Sequence, residues 1–425
     1  MTDTTFKAIS VHSWRQFRSV DVEFAHRVTI LTGRNGTGKT TLLNILAHHS
    51  QYHSTFLASP VQTRDSLGRF TSGVWNWEED TEATDVIGNI SYSSGETSEI
   101  RVQRKVAVNF SPKLSPQVAV SVLNIPSHRR LPAYKKVESI PTVPITRETA
   151  LESYQREFWS GVRGEMTRTT PLTKMKEALI SMAAFGPGNN RVVPNHESDS
   201  AIRDFESRLR EIIPKNIGFR RLVVQIPDVI VETDSGRFLL DASSGGLMSL
   251  IDITWQITLF GRDKQRFVVV IDEPENHLHP SMQREFLPAL VSAFPECQFV
   301  VATHSPFVVS SVKESAVYAF DVADQHFRGS SIAEDLSAST NAVITKRVDI
   351  SDRARSSEIL RDVLGVPISV PIWAEQELDE ILSKFSDADF SSQDIQAIHR
   401  ELNQRGLSDF LPDIIARAAG RNAKD

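Results

Sequence analysis

Gly33-Arg34-Asn35-Gly36-Thr37-Gly38-Lys39-Thr40 is the stretch that decides how this chain is read. Gly33, Gly38, Lys39 and Thr40 have the spacing of a phosphate-binding loop. Its glycines let backbone N–H groups turn inward around phosphate oxygens, at the positive end of the following helix. Lys39 would reach the β- and γ-phosphates, and the Thr40 hydroxyl would hold Mg²⁺. Asn35, Gly36 and Thr41 complete the nucleotide-binding set. A glycine turn ending in Lys-Thr can arise by chance, but the flanks here are specific. Residues 6–11 and 20–24 alternate as strands do, and 28–31 is a short apolar run feeding the loop. Residues 40–48 then follow a helical pattern, with Leu42, Leu43, Ile45 and Leu46 for burial.

Two further motifs follow in order. Residues 268–271 (VVVI) read as a buried strand ending in Asp272 and Glu273. Asp272 would sit beside Mg²⁺, and Glu273 would polarise the attacking water as general base. A second strand, 299–303, ends at His304, where an imidazole can bond the γ-phosphate or that water. An acidic turn, or a polar strand end, is the plain reading of either segment alone; the ordered set with the glycine loop favours the chemical one. Ser243-Ser244-Gly245-Gly246 opens another helical pattern, buried over 247–259. A helix over 280–294 between the two strands makes a βαβ unit with a parallel sheet.

GRNGTGKT, IDEPENHLHP and ATHSP together resemble the non-transporter branch of the ATP-binding cassette ATPases, the group of RecF, SMC and OLD-type proteins. The likeness covers roughly residues 5–50 and 235–315. It implies an α/β fold: an ABC-type P-loop core with a mixed, largely parallel sheet, a large inserted α+β subdomain and a small C-terminal helical domain. It also implies that Ser244, Gly245 and Gly246 act as a signature on the ATP of a second copy, giving a homodimer with shared sites. The 275–279 stretch would then touch that partner. Leu247 departs from the family pattern, which has a polar residue there, and Ser243 stands where transporters carry leucine. A switch glutamine is expected after the P-loop, and Gln51, Gln62 and Gln103 all qualify. Anti-phage systems such as Septu and PARIS contain ATPases of this kind, so the expected function is a nucleotide-dependent dimer switch acting on a separate effector, a nuclease. The alternative is a RecF-like repair ATPase that binds DNA itself. A transporter subunit fits poorly, because about 200 residues separate the P-loop from the signature, far more than one βαβ connection needs.

Composition is that of an ordinary soluble protein, with 40% hydrophobic and 24% charged residues and a formal net charge of −6. The single cysteine, Cys297, excludes an internal disulfide and fits a reducing compartment. No basic-then-apolar leader pattern and no membrane-length apolar window is visible, so a cytoplasmic protein with no membrane contact is expected. Between Arg101 and Lys136 stand eight Lys or Arg and no Asp or Glu. That run is the candidate DNA contact, the bland reading being a solvated surface. Within it, Ser127-His128-Arg129-Arg130 resembles a stretch of defence-type ATPases that lies near the nucleotide. The expected division is 1–50 (first part of the core), 51–234 (inserted β then helical subdomain), 235–336 (second part of the core) and 337–425 (helical). Residues 100–108, 118–125 and 221–231 read as strands, 149–213 as helical with a break at 186–194, and 356–364, 374–385 and 392–405 as helices. His48, His49 and His53, and likewise His277 and His279, lack a full metal-ligand set. Asp387 and Asp389 read as solvated, with no nuclease constellation around them.

Overall fold

Strands of a parallel sheet covered on both faces are continuous apolar runs, and three such runs form the centre of this molecule. A computed structural model of the chain describes residues 3–60, 70–74, 84–127, 133–322 and 342–348, single positions 359, 377, 378, 380, 381, 383 and 407, and the helix Ser392–Arg405. In chain order the elements are β1 (Phe6–Trp14), β2 (Phe17–Glu23), β3 (Val28–Gly33), α1 (Lys39–Leu46), the short β4 (Phe56–Leu57), β5 (Ser59–Pro60) and β6 (Phe70–Thr71), β7 (Thr84–Tyr92), β8 (Thr97–Gln103), β9 (Asn109–Phe110), β10 (Lys113–Ser115) and β11 (Val122–Ile125). There follow α2 (Arg147–Val162), α3 (Pro171–Phe185), α4 (His196–Ile212), β12 (Phe219–Gln225), β13 (Asp228–Thr233), β14 (Gly236–Leu239), α5 (Gly245–Gly261), β15 (Phe267–Asp272), α6 (Pro280–Ala293), β16 (Cys297–Ala302), α7 (Pro306–Ser311), β17 (Ala316–Val322) and β18 (Val343–Arg347).

Eleven strands form one sheet in the order β10-β8-β7-β1-β2-β18-β17-β3-β16-β15-β11. From β17 to β11 all neighbours are parallel, and every residue of β3, β11, β15 and β16 is buried. Their register pairs Leu31 with Ala302, Ala302 with Asp272, and Ile271 with Ile125. Four chain segments therefore leave the sheet side by side at one edge, the C-terminal ends of parallel strands, where α/β sheets hold their ligands. From β10 to β2 the strands are antiparallel and alternate buried with exposed positions, as a one-sided sheet requires.

Residues 84–125, expected inside an inserted subdomain, supply β7, β8, β10 and β11 to this main sheet. Residues 221–231, expected as one strand returning to the core, instead form a hairpin. It turns at Ile226-Pro227, and β12, β13 and β14 make a separate three-stranded sheet. Proline has no N–H for a ladder, so the chain breaks there. The helical stretch contains three helices, each N-capped by a side chain: Thr146, Thr170 and Asn195 accept bonds from N–H groups three residues on. Of these, α2 and α4 pack on α5, with Phe205 edge-on to Trp255 at 4.9 Å between ring centroids, and α3 packs against α2, α4 and β13.

The chain divides into two compact units, 1–365 and 366–425, and β18 at 343–347 belongs to the sheet of the first. In the second unit the helix Ser392–Arg405 buries Ile398 and Leu402, and Arg405 pairs with Glu377, Glu380 and Glu401. The helices expected over 356–364 and 374–385 lie largely outside the described residues, as do Gln62, Arg129, Arg130, Asp387 and Asp389. Among the described residues, no helix is long and apolar enough to cross a membrane.

Candidate nucleotide site

Gly33 ends β3 at φ 133°, and a Cβ there would lie 2.3 Å from the Phe320 carbonyl oxygen of β17. Only glycine lets the chain turn this close to its neighbouring strand. Gly38, at φ 96°, is pressed by Gln16 and Phe17 from the β1–β2 turn. The loop between them delivers α1, whose N-terminus begins with Lys39. Lys39 is 5% exposed, and its ammonium donates to the carbonyls of Gly33 and Arg34, both at 2.9 Å. It thus spans its own loop. Burial lowers its pKa to about 8, a fall opposed by the carboxylates of Asp272, Glu273 and Glu275.

Thr40 Oγ1 donates to Asp272 Oδ2 at 2.8 Å, which brings the loop hydroxyl and the β15 carboxylate together. Burial raises the Asp272 pKa to about 6, partly offset by that hydrogen bond. Two hard oxygens on rigid elements, one of them a carboxylate held in a poorly hydrated place, fit Mg²⁺ better than a soft metal.

Glu273, next in the chain, sits at φ 47°, a left-handed conformation that is uncommon for a residue with a side chain. Its N–H donates to the Ala302 carbonyl, so the strain is held by the neighbouring strand. One carboxylate oxygen lies 3.3 Å from His304 Nε2, and the other accepts from Asn276 at 3.2 Å. His304 is pushed below its ordinary pKa, chiefly by burial and then by the Lys39 charge, while Glu273 opposes the fall. An imidazole and a carboxylate this close can share a water between them.

Glu275 was not picked out individually by the motif reading; it falls in the stretch expected to face a partner. Its Oε1 accepts from Thr303 Oγ1 at 2.6 Å, His304 N at 2.8 Å and Ser305 N at 3.1 Å. One carboxylate thereby fixes the whole loop that carries His304. The signal available in sequence was only the proximity of Glu275 to Asp272; the partner strand's register supplies the rest. The other members of that stretch divide: His277 and His279 are exposed, Leu278 is buried, and His279 caps α6 through Ser281. Gln16, against Gly38, was also missed. Among the glutamines considered, Gln51 and Gln103 are exposed.

The second glycine motif lies on a different helix. Ser244 is the N-cap of α5, its Oγ accepting from Leu247 N at 3.3 Å. Gly245 and Gly246 form the first turn, and a Cβ on Gly246 would come within 2.9 Å of the His277 carbonyl. Leu247, anomalous beside the family pattern, is 5% exposed and packs in the main core. Its side chain turns inward, so an apolar residue suits the position. Thr41, on α1, is half-buried.

The histidines near the end of α1 are packed together: the rings of His48 and His53 lie 4.4 Å apart, and burial lowers the His48 pKa to about 4. The described residues of the basic run do not lie together. Arg101 pairs with Glu99 and Arg104 with Asp85, on β7 and β8 near one end of the sheet, whereas Lys135 follows β11 at the other end. Ser127 leaves β11 at the ligand edge, its carbonyl accepting from Asn276 Nδ2 at 3.3 Å.

Two family models match the chain, one on each half of this site. Residues 8–48 match a model described as "AAA domain", and residues 253–310 one described as "AAA domain, putative AbiEii toxin, Type IV TA system". The chain is 36% identical over 61 residues to the Retron Vc95 probable ATPase of Vibrio cholerae serotype O1 biovar El Tor, covering 14% of this chain and 12% of that protein. It is 24% identical over 179 residues to the Septu protein PtuA of Bacillus mycoides (strain KBAB4), covering 41% of this chain and 23% of that protein. With the Retron Ec83 probable ATPase of Escherichia coli it shares 33% identity over 112 residues, 24% of this chain and 21% of that protein. The matched stretches thus span less than a quarter of each relative. Among solved structures, the SMC head domain from Thermotoga maritima aligns with a TM-score of 0.37 at 13% identity, over 81% of this chain and 99% of that one. The two family-model matches fall on the segments that carry the glycine loop and the Asp272, Glu273 and His304 strand ends, and over part of its length the chain is similar to the retron probable ATPases and the Septu protein PtuA.

Proposed function

We propose that the chain hydrolyses ATP at a site completed by a second copy, and that this cycle switches a separate effector in anti-phage defence. The observation that carries the catalytic half is the alignment of Lys39, Thr40, Asp272, Glu273 and His304 at one sheet edge, with Thr40 on Asp272 at 2.8 Å and His304 on Glu273 at 3.3 Å. Gly33, Asn35, Gly36, Gly38 and Thr41 would line the phosphates. Mg²⁺, when bound, neutralises charge on the β- and γ-oxygens. Thr40 and Asp272 would hold that ion, Glu273 would take a proton from the attacking water, and His304 would orient that water against the γ-phosphate.

The shared site rests on a second feature. Among the described residues two helix N-termini carry glycine motifs, α1 and α5, and a single ATP would use the first for its own phosphates. Ser244, Gly245 and Gly246 at the other would cap the γ-phosphate held by the partner. ATP then bridges two chains and hydrolysis releases them, which is a switch. The sequence likeness to the retron ATPases and the Septu protein supports the defence setting, and an effector such as a nuclease is the partner of choice. Among the described residues the basic run is divided between the two ends of the sheet, which gives direct DNA binding less support than the switch reading.

Release of radiolabelled phosphate from ATP tests the assignment. Wild type should turn over with Mg²⁺, and Lys39→Ala and Glu273→Gln should each fall by at least about a hundredfold. Turnover in Glu273→Gln equal to wild type would remove Glu273 from the mechanism.

A further inference from the structure

Lys176, on α3, is wholly buried, yet its amino group is fully bonded. Its ammonium donates to Asp241 Oδ2 at 2.8 Å, Asp228 Oδ1 at 3.0 Å and the Lys135 carbonyl at 2.7 Å. Those three acceptors use all three of its N–H groups. The surroundings complete the network: Lys135 N donates to Asp241 Oδ1 at 3.2 Å, and the Tyr134 hydroxyl to Asp228 Oδ2 at 3.3 Å. The Tyr134 ring lies 5.3 Å from the ammonium.

What this ammonium ties together is informative. Asp228 opens β13, Tyr134 and Lys135 belong to the segment after β11, and Asp241 sits in the 3-10 turn Leu240–Ala242. Asp241 is three residues before Ser244. Ser243 N donates back to the Leu240 carbonyl at 3.1 Å, so the turn runs directly into the α5 cap. Buried ion pairs are seldom needed for stability, since apolar residues of similar volume hold the same elements as firmly. They do fix geometry, because each bond has a length and a direction.

We infer that Lys176 is a positioning residue for the Ser244-Gly245-Gly246 motif, setting from the helical layer where that motif meets the partner's nucleotide. This rests on the shared-site reading above. Loss of the network leaves the P-loop of the same chain intact and impairs only what the chain offers its partner. Movement of α3 would reach the signature through the Lys176–Asp241 bond.

The test is complementation between variants. Lys176→Met, and the near-isosteric Asp241→Asn should the first fail to fold, are assayed alone and after mixing with Lys39→Ala. Ser244→Ala is treated identically as the reference. Alone, each should lose hydrolysis by about tenfold or more while still binding a fluorescent ATP analogue as tightly as wild type. Mixed with Lys39→Ala, each should recover up to about a quarter of wild-type activity, because half of randomly mixed dimers contain one complete site of two. If Ser244→Ala recovers on mixing but the Lys176 and Asp241 variants do not, the network serves its own protomer and the inference is overturned. If Ser244→Ala does not recover either, the shared site itself fails, and the inference goes with it.

Discussion

At the scale of single residues, the site is held in an unfavourable protonation balance that its ligand would relieve. Asp272 moves from 3.8 in the reference state to about 6. A raised carboxylate pKa favours the folded protein below the unfolded value, and that advantage is lost as pH rises through about 6. Ionised Asp272 is therefore a cost at neutral pH, and Asp272→Asn should stabilise the ligand-free protein by up to about 3 kcal/mol at pH 7.5, and hardly at all near pH 3.5. Urea unfolding at the two pH values checks this, and equal effects would contradict it. Lys39 has the opposite sense: lowered to about 8, it contributes stability above its ordinary value and loses it as pH falls through 8. Phosphate oxygens would restore its charge, so ATP binding at pH 8 should take up about half a proton. Calorimetry in two buffers of different ionisation enthalpy reads that number. Glu275 is the residue whose importance only the fold reveals, for its three donors come from a strand end 28 to 30 residues away. Glu275→Ala should lower kcat by about tenfold to a hundredfold with little change in ATP affinity. A change in affinity alone would mean that His304 does not depend on it.

At the scale of elements, what was legible follows from burial. The continuous apolar runs at 268–271 and 299–302 identify central strands, and the spacing between them leaves room for one helix, which is the β15-α6-β16 unit observed. Strand-like runs at 100–108 and 118–125 correspond in part to β8 and β11, but a local pattern carries no information on which strand is the neighbour. For that reason the joining of β7, β8, β10 and β11 to the main sheet was not foreseen. The hairpin at 219–233 was signalled by Pro227 and overlooked, because the residues on either side are equally apolar. Close approach between elements also separates the P-loop glycines. Gly33 faces the Phe320 carbonyl, whereas Gly36, at φ 80°, has nothing within 4 Å of where its Cβ would be. Gly33→Ala should thus destabilise the fold by at least about 3 kcal/mol and Gly36→Ala by about 1 kcal/mol, the strain of φ alone. Chemical unfolding of the two variants gives the comparison, and equal losses would contradict the packing argument.

At the scale of the whole molecule, two arrangements invisible to local patterns shape the function. The basic run is continuous in sequence, and its described residues are divided in space, since β8 and β11 lie towards opposite ends of an eleven-stranded sheet. The two glycine motifs, about 200 residues apart in sequence, lie on separate helices, α1 and α5. On the proposed reading α1 holds the chain's own ATP, and a second copy turned to face the first would bring its γ-phosphate to α5. Assembly of two copies driven by nucleotide is therefore the expected behaviour. The most direct measurement is the solution mass of Glu273→Gln, by light scattering, with and without ATP and Mg²⁺. Growth from one chain to two on adding ATP, persisting because the nucleotide is not consumed, is the predicted result. A mass of one chain with ATP demonstrably bound would contradict it.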